Sequence, residues 1–165
     1  MNIFVLDKNP YKAARYHCDK HIVKMTLETA QILSSALTLI GVPHNGYKPT
    51  HVRHPCVLWA VDLRNWVWLR ELGRALASEY TRRYQRDHSS LLVINSLPIP
   101  EIDCAIPKDF ALAMPANFIH YEVKPKGKFN LYDIDYVTSY REFYKSKAQR
   151  FALTYKDSPV PSWLN

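Results

Sequence analysis

Hydrophobic residues recur at helical spacing along three stretches of the chain and alternate at strand spacing along a fourth. Residues 2–6, "NIFVL", form a short apolar run that predicts a strand or a buried lead-in. Asp7-Lys8-Asn9-Pro10 is turn chemistry, and Pro10 suits the first position of a helix. From there the helical pattern runs to about Ile40 and stops at Gly41, with Pro43 just beyond. A loop rich in Gly, Pro and His (44–55) leads to a second long helix from about Pro55 to Arg86, which carries Leu58, Trp59, Leu63, Trp66, Leu69 and Leu76. "SSLLVINSL" predicts a short helix, and residues 98–118 a Pro-punctuated connection over the surface. Residues 119–134 alternate around Pro-Lys-Gly-Lys and predict a β-hairpin. A last helix, about 135–153, carries Tyr136, Tyr140, Phe143, Tyr144 and Phe151. The expected architecture is mainly α: a compact helical bundle forming a single domain over 1–165, with two long helices, a C-terminal helix and a small β-hairpin insertion.

The first long helix has an unusual polar pattern. At about 100° per residue, His17, His21, Lys24, Glu28, Gln31 and Ser35 fall within an arc of about 80°, stacked at i, i+3/i+4 spacing. Ile22, Val23, Met25, Leu27, Ile32, Leu33 and Leu37 cover most of the rest. A surface helix shows the reverse proportions. A narrow polar ridge on a rod that is greasy elsewhere belongs at a cleft. A solvated seam with a Lys24–Glu28 pair is the plainer explanation, and such a pair contributes only a few tenths of a kcal/mol. A carboxylate beside Lys24 and His21 suits acid/base work or stabilisation of a developing cation. Lys24 is a candidate amine nucleophile, and Gln31 a candidate reader of a base or ribose.

Charge and composition narrow the partners. The 165 residues contain 22 Lys and Arg against 15 Asp and Glu, a net charge of +7. That balance favours a polyanionic partner such as nucleic acid or a nucleotide. Hydrophobic residues make up 47%, which argues against wholesale disorder. No apolar run approaches the roughly 20 residues needed to span a bilayer, and no charged-then-apolar signal opens the chain. Cys18, Cys56 and Cys104 form no CxxC pair, which points to a reducing cytoplasm.

Other constellations compete with the ridge. His17 and His21 are four apart, and His51-x-x-His54 follows in the loop, so four imidazoles are available to ligate Zn or Fe. There is no HExxH or paired cysteine to strengthen that alternative, and the expectation is no metal and no cofactor. Cys18 falls on the apolar side of the helix and reads as a buried thiol. No GxGxxG, P-loop or GxSxG is present. Two basic-aromatic segments suit nucleic-acid contact: Arg82, Arg83 and Arg86 between Tyr80 and Tyr84, and Arg141, Lys145, Lys147 and Arg150 beside Tyr140 and Tyr144. The alternative for each is aromatics in the core with cations snorkelling outward.

On these residues the chain resembles the pyrimidine-dimer DNA glycosylase family of the phage endonuclease V type. The carriers are Asp19-Lys20-His21, then Glu28 seven residues after that histidine, the helix "VDLRNWVWLRELGRALASEYTRRY", and the closing "PSWL". The resemblance implies a compact helical fold and attack by an N-terminal α-amine on the sugar C1′. The base then leaves through an imino intermediate, the glutamate assists, and β-elimination cuts the strand. The family exposes a threonine amine by Met removal. Here Asn2 is too large for efficient removal, so the implied amine is that of Met1, or Lys24 instead. Leu27 and Gln31 stand where the family has arginines, and the family's basic-aromatic tail is missing. Over nearly its whole length the chain also resembles a group of phage-encoded proteins, through "DKHIVKM…ETAQ", "HVRHP…W", "RRYQRDH", "AMP" and "YREFY…PSW".

The expectation is a phage-type enzyme of the host cytoplasm that processes damaged or modified DNA, related to glycosylase/AP-lyases. Glu28, His21, Lys24 and the Met1 amine are the catalytic candidates. His17, Gln31, His51 and His54, with Tyr140 and Tyr144, are the substrate-binding candidates around the sugar and base, and Arg82, Arg83, Arg86, Arg141, Lys145 and Lys147 those for phosphate. The alternatives are a base- or nucleotide-modifying enzyme, a metal-dependent hydrolase using the four histidines, or a non-catalytic binder of a nucleotide or host factor.

Overall fold

Asn9 starts the first helix by accepting the N–H groups of Tyr11 and Lys12 on its side chain (2.9 and 3.1 Å), with Pro10 at the first helical position. The protein's structure, a computed structural model, describes residues 1–101, 109–126 and 129–164. Helix α1 spans Pro10–Arg15 and α2 spans Asp19–Leu39, so the one long helix expected to Ile40 is two. The periodicity is continuous, but a distant group interrupts it. The Cys18 N–H is donated to the Tyr144 hydroxyl (2.8 Å) rather than to the preceding turn, and Cys18 is extended. The stop at Gly41 is as expected. Gly41 has φ +74°, its N–H reaches Thr38 and the Val42 N–H reaches Leu37, the paired bonds of a Schellman cap.

The second long helix is also divided, into α3 (Pro55–Trp59) and α4 (Leu63–Tyr84). Asp62 restarts the helix by accepting the Arg64 N–H at 2.9 Å, and Asn65 caps α3 through the Trp59 carbonyl. Helix α4 ends at Tyr84, two residues short of Arg86, and Gln85 caps it in the left-handed region. Helix α5 covers Ser90–Ser96. Helices α2 and α4 pack along each other, and α1 and α5 close on that pair. Gly73 permits the approach: a Cβ there would sit 2.6 Å from the Thr29 side chain and 2.9 Å from Ile94. Ile22, Leu33, Leu37, Trp66, Leu69 and Leu76 fill the shared core.

The expected hairpin pairs β1 (Tyr121–Lys126) with β2 (Phe129–Ile134) in antiparallel register; its turn residues Gly127 and Lys128 lie outside the described residues. Tyr121, Val123 and Tyr132 are exposed on it. Residues 102–108 of the surface connection, with Cys104, also lie outside them. Helix α6 spans Tyr136–Lys145, capped by Asp135 on the Thr138 N–H. A 3-10 turn at Ser146–Gln149 replaces the end of the longer helix expected to residue 153. The fold is mainly α with one small hairpin. Among the described residues no helix is long and apolar enough to cross a membrane.

Candidate active site

The start of the chain is held by its second side chain. Asn2 accepts the N–H groups of Ile3 and Phe4 (2.7 and 3.0 Å) and donates to the Ala113 carbonyl (2.7 Å). This turn aims the Asn2 N–H at Glu28 Oε2, 3.0 Å away across 26 residues of sequence. Residues 3–6 follow as a buried lead-in rather than a strand. Phe4 sits at φ 32°, a costly conformation for an aromatic residue, and its ring lies flat on His21 with centroids 4.9 Å apart.

Glu28 closes a cleft of about 220 Å³. Helix α2 supplies His21, Lys24 and Glu28, the lead-in supplies Met1, Asn2 and Phe4, and the stretch after α6 supplies Lys147, Arg150 and Phe151. The Glu28 side chain is 12% exposed and its i,i+4 partner Lys24 is 62% exposed at 3.5 Å, so the carboxylate is inside and the ammonium at the rim. Both carboxylate oxygens thus have a partner: Oε2 the Asn2 N–H and Oε1 Lys24. Lys147 lies over the Phe143 ring at 3.6 Å, and Lys20 over Phe151 at 4.5 Å.

His21 is packed between Phe4, Tyr144 and Phe151. Burial, helped by the charges of His17, Lys24, Lys147 and Lys20, pulls its pKa down to about 3, so the ring is neutral at physiological pH. His17 is not on α2. It is buried in the core, donates Nδ1–H to the Ala13 carbonyl (2.7 Å), and burial lowers its pKa to about 4. Gln31 is half-buried on α2. Ser35 ties the 44–54 loop to α2 through both backbone groups of Thr50. On that loop His54 caps α3 by accepting the Cys56 N–H. Its pKa is lowered by burial, then by the Met1 amine and His51, while Glu28 opposes them. His54 therefore feels the same groups that meet at Glu28. His51 is exposed and bonded to Thr50. Among the described residues no three His, Cys, Asp or Glu side chains gather to hold a metal. The Cys56 thiol is pushed up to about 12, chiefly by burial, and burial also raises that of Cys18. Neither is an available thiolate.

Most of the basic-aromatic candidates lie away from the cleft. Arg83 has a fully buried side chain that bonds the His17 carbonyl, Asp19 and Glu79. It locks the N-terminus of α2 to α4, and Asp19 also accepts the Lys156 N–H on both oxygens. Arg82 pairs with Glu79 (2.7 Å) and bonds Asp157 and Ser158 beside a separate groove. Arg86 lies over Tyr80. Arg141 bonds the Leu6 carbonyl and sits by the rings of Tyr16 and Trp163. Lys145 pairs with Glu142. Tyr140 and Tyr144 are wholly buried, with their hydroxyls on Ala111 and Cys18, and offer no ring for stacking. Sequence reasoning missed Asn2 and Phe4. An Asn followed by an apolar run is a turn signal that could have found Asn2; nothing local marks Phe4.

A family model described as pyrimidine dimer DNA glycosylase matches residues 1–92, more than half of the chain. The chain belongs to this family. Among curated proteins and among solved structures no match was found. The glycosylase-family segment holds α1 to α4 and contributes Met1, Asn2, Phe4, His21, Lys24 and Glu28 to the cleft. Lys147, Arg150 and Phe151 come from beyond it.

Proposed function

We propose that the protein is a DNA glycosylase with an associated strand-cleaving lyase step, working at the Glu28 cleft. The observation that carries this is the 3.0 Å bond from the Asn2 N–H to Glu28, which sets the start of the chain against a carboxylate in a cation-rimmed cleft. Membership of the glycosylase family supports it.

In this mechanism the neutral Met1 amine attacks C1′ of a damaged or modified nucleotide. The C1′–N bond to the base breaks and its electron pair leaves with the base; the C1′–O4′ bond then opens, O4′ takes a proton, and an imine joins C1′ to the protein. An α-amine attacks through its neutral form. Glu28, beside that amine, shuttles its proton and stabilises the positive charge at C1′. Lys24 is less suited to attack, because its amine is paired with Glu28 and stands mostly exposed at the rim. Lys24 and Arg150 face the phosphates at the cleft rim, and neutral His21 offers a hydrogen bond without charge. The nucleotide reaches the cleft by leaving the stack.

The test uses duplexes carrying pyrimidine dimers, other damaged or hypermodified bases, or an abasic site, with borohydride to trap the imine. A covalent adduct on the Met1 peptide, lost when extra residues precede Met1 and kept in Lys24→Ala, is the expected result. No adduct on any of these duplexes would overturn the proposal.

A further inference from the structure

The lyase step needs a base for the C2′ proton, and the cleft offers few. Glu28, held by the Asn2 N–H and Lys24, is engaged with the amine's proton and the charge at C1′. Lys24 is itself one of those partners, and Arg150 does not deprotonate. His21, with a pKa near 3, holds a proton too weakly to accept one from carbon. Lys147 differs from all of these. It lines the same cleft as Glu28 and Met1, but its amine lies against aromatic carbon, 3.6 Å from the centre of Phe143 and 5.8 Å from that of Phe4. Among the described residues it has no ion-pair partner, whereas Lys145, two residues earlier, has Glu142.

Resting on the lyase reading above, we propose that Lys147 is the catalytic base that removes the C2′ proton of the imine-bound sugar. The neutral Nζ takes the proton. The C2′–H electron pair forms C1′=C2′ and neutralises the iminium nitrogen. That nitrogen then pushes the pair onward, C2′=C3′ forms, and the C3′–O bond breaks with its electrons leaving on the phosphate oxygen. Water later hydrolyses the unsaturated imine and frees the amine. Burial and the nearby cations favour the neutral form Lys147 needs, while the Phe143 ring holds the ammonium once it forms. Burial lowers its pKa first, then the charges of Arg150 and Lys24; neutral His21 adds no charge, and Glu28 is already shared between Asn2 and Lys24. The ammonium produced rests on the Phe143 ring.

Arginine keeps the charge but cannot serve as a base, so Lys147→Arg separates this role from simple phosphate attraction. The substrate is a duplex with one abasic site, which removes base recognition from the measurement. Lys147→Arg should bind and trap imine like wild type yet cleave about 100-fold more slowly in single turnover. The rise of the wild-type cleavage rate with pH should flatten in it. Lys147→Gln, with an unchanged unfolding midpoint, should show the same split between trapping and cleavage. Cleavage by Lys147→Arg within about threefold of wild type would overturn the proposal alone and leave the glycosylase/lyase reading standing. Loss of trapping in Lys147→Arg would also overturn it, by placing Lys147 at an earlier step. A wild type that forms no imine would remove both.

Discussion

Among the described residues, the Glu28 cleft and the groove beside Arg82 each bring three cations to one carboxylate, and they differ in what holds that carboxylate. Around Arg82 and Arg83 each guanidinium meets a carboxylate: Arg82 meets Glu79, and the buried Arg83 meets Asp19 and Glu79. In the Glu28 cleft a single carboxylate faces Lys24, Lys147 and Arg150. The Arg82 groove is the larger, about 540 Å³ against about 220 Å³, but its carboxylate is clamped between two guanidiniums, whereas Glu28 is met by a backbone N–H and one lysine. Size therefore says less about where chemistry occurs than how the carboxylate in each place is held.

The largest effect is expected at Arg83. Replacing it with Met leaves Asp19 and Glu79 short of a buried partner, so unfolding free energy should fall by about 3–5 kcal/mol in urea titrations. A stable Arg83→Met protein that had lost only DNA affinity would reverse the assignment. At Glu28 the expectation is the opposite. Glu28→Gln should keep the unfolding midpoint within about 1 kcal/mol and lose about 100- to 1,000-fold in imine formation on abasic DNA. A pH series follows from the two buried imidazoles. Their folded pKa values of about 4 and about 3 lie below the ordinary 6.5, so the unfolded chain binds their protons more readily. Stability from this source is complete above pH 6.5 and is lost as pH falls toward 4, by about 1.4 kcal/mol per pH unit for each ring. Thermal melts of wild type and His21→Phe between pH 7 and 5 read this directly, the variant having the shallower slope. The smallest effect separates the surface cations. Arg150→Gln should reduce the slope of log affinity against log salt by about one, while Arg82→Gln leaves it unchanged.

Much of this was legible in the hydrophobic pattern. The helical stretches, the Gly41 stop, the short helix at 90–96 and the hairpin all follow from local spacing and turn chemistry. The breaks at Cys18 and Ala60–Asp62 were not legible, for different reasons. The first is made by the hydroxyl of Tyr144, 126 residues away, whereas the second rests on an Asp cap hidden in a continuous apolar rhythm. The angular count placed His21, Lys24 and Glu28 on one ridge, and all three line the cleft. It also placed His17 there, although His17 precedes the break and turns into the core.

Local sequence was enough to place the helical stretches, the polar face of α2 and the excess positive charge, though not the breaks within those stretches. These depend on neighbours within a few positions or on simple sums. Only the tertiary structure decided which cations are left without a carboxylate and what stands beside Glu28. The Asn2 N–H, Lys147 and Arg150 arrive from opposite ends of the chain, and no periodicity links residues that far apart. Arg83 and Lys147 both sit in basic-aromatic runs, yet one is buried between carboxylates and the other lies on bare rings. Burial and partnership are properties of the packed chain, so two lysines or two arginines in similar runs part company only when it folds.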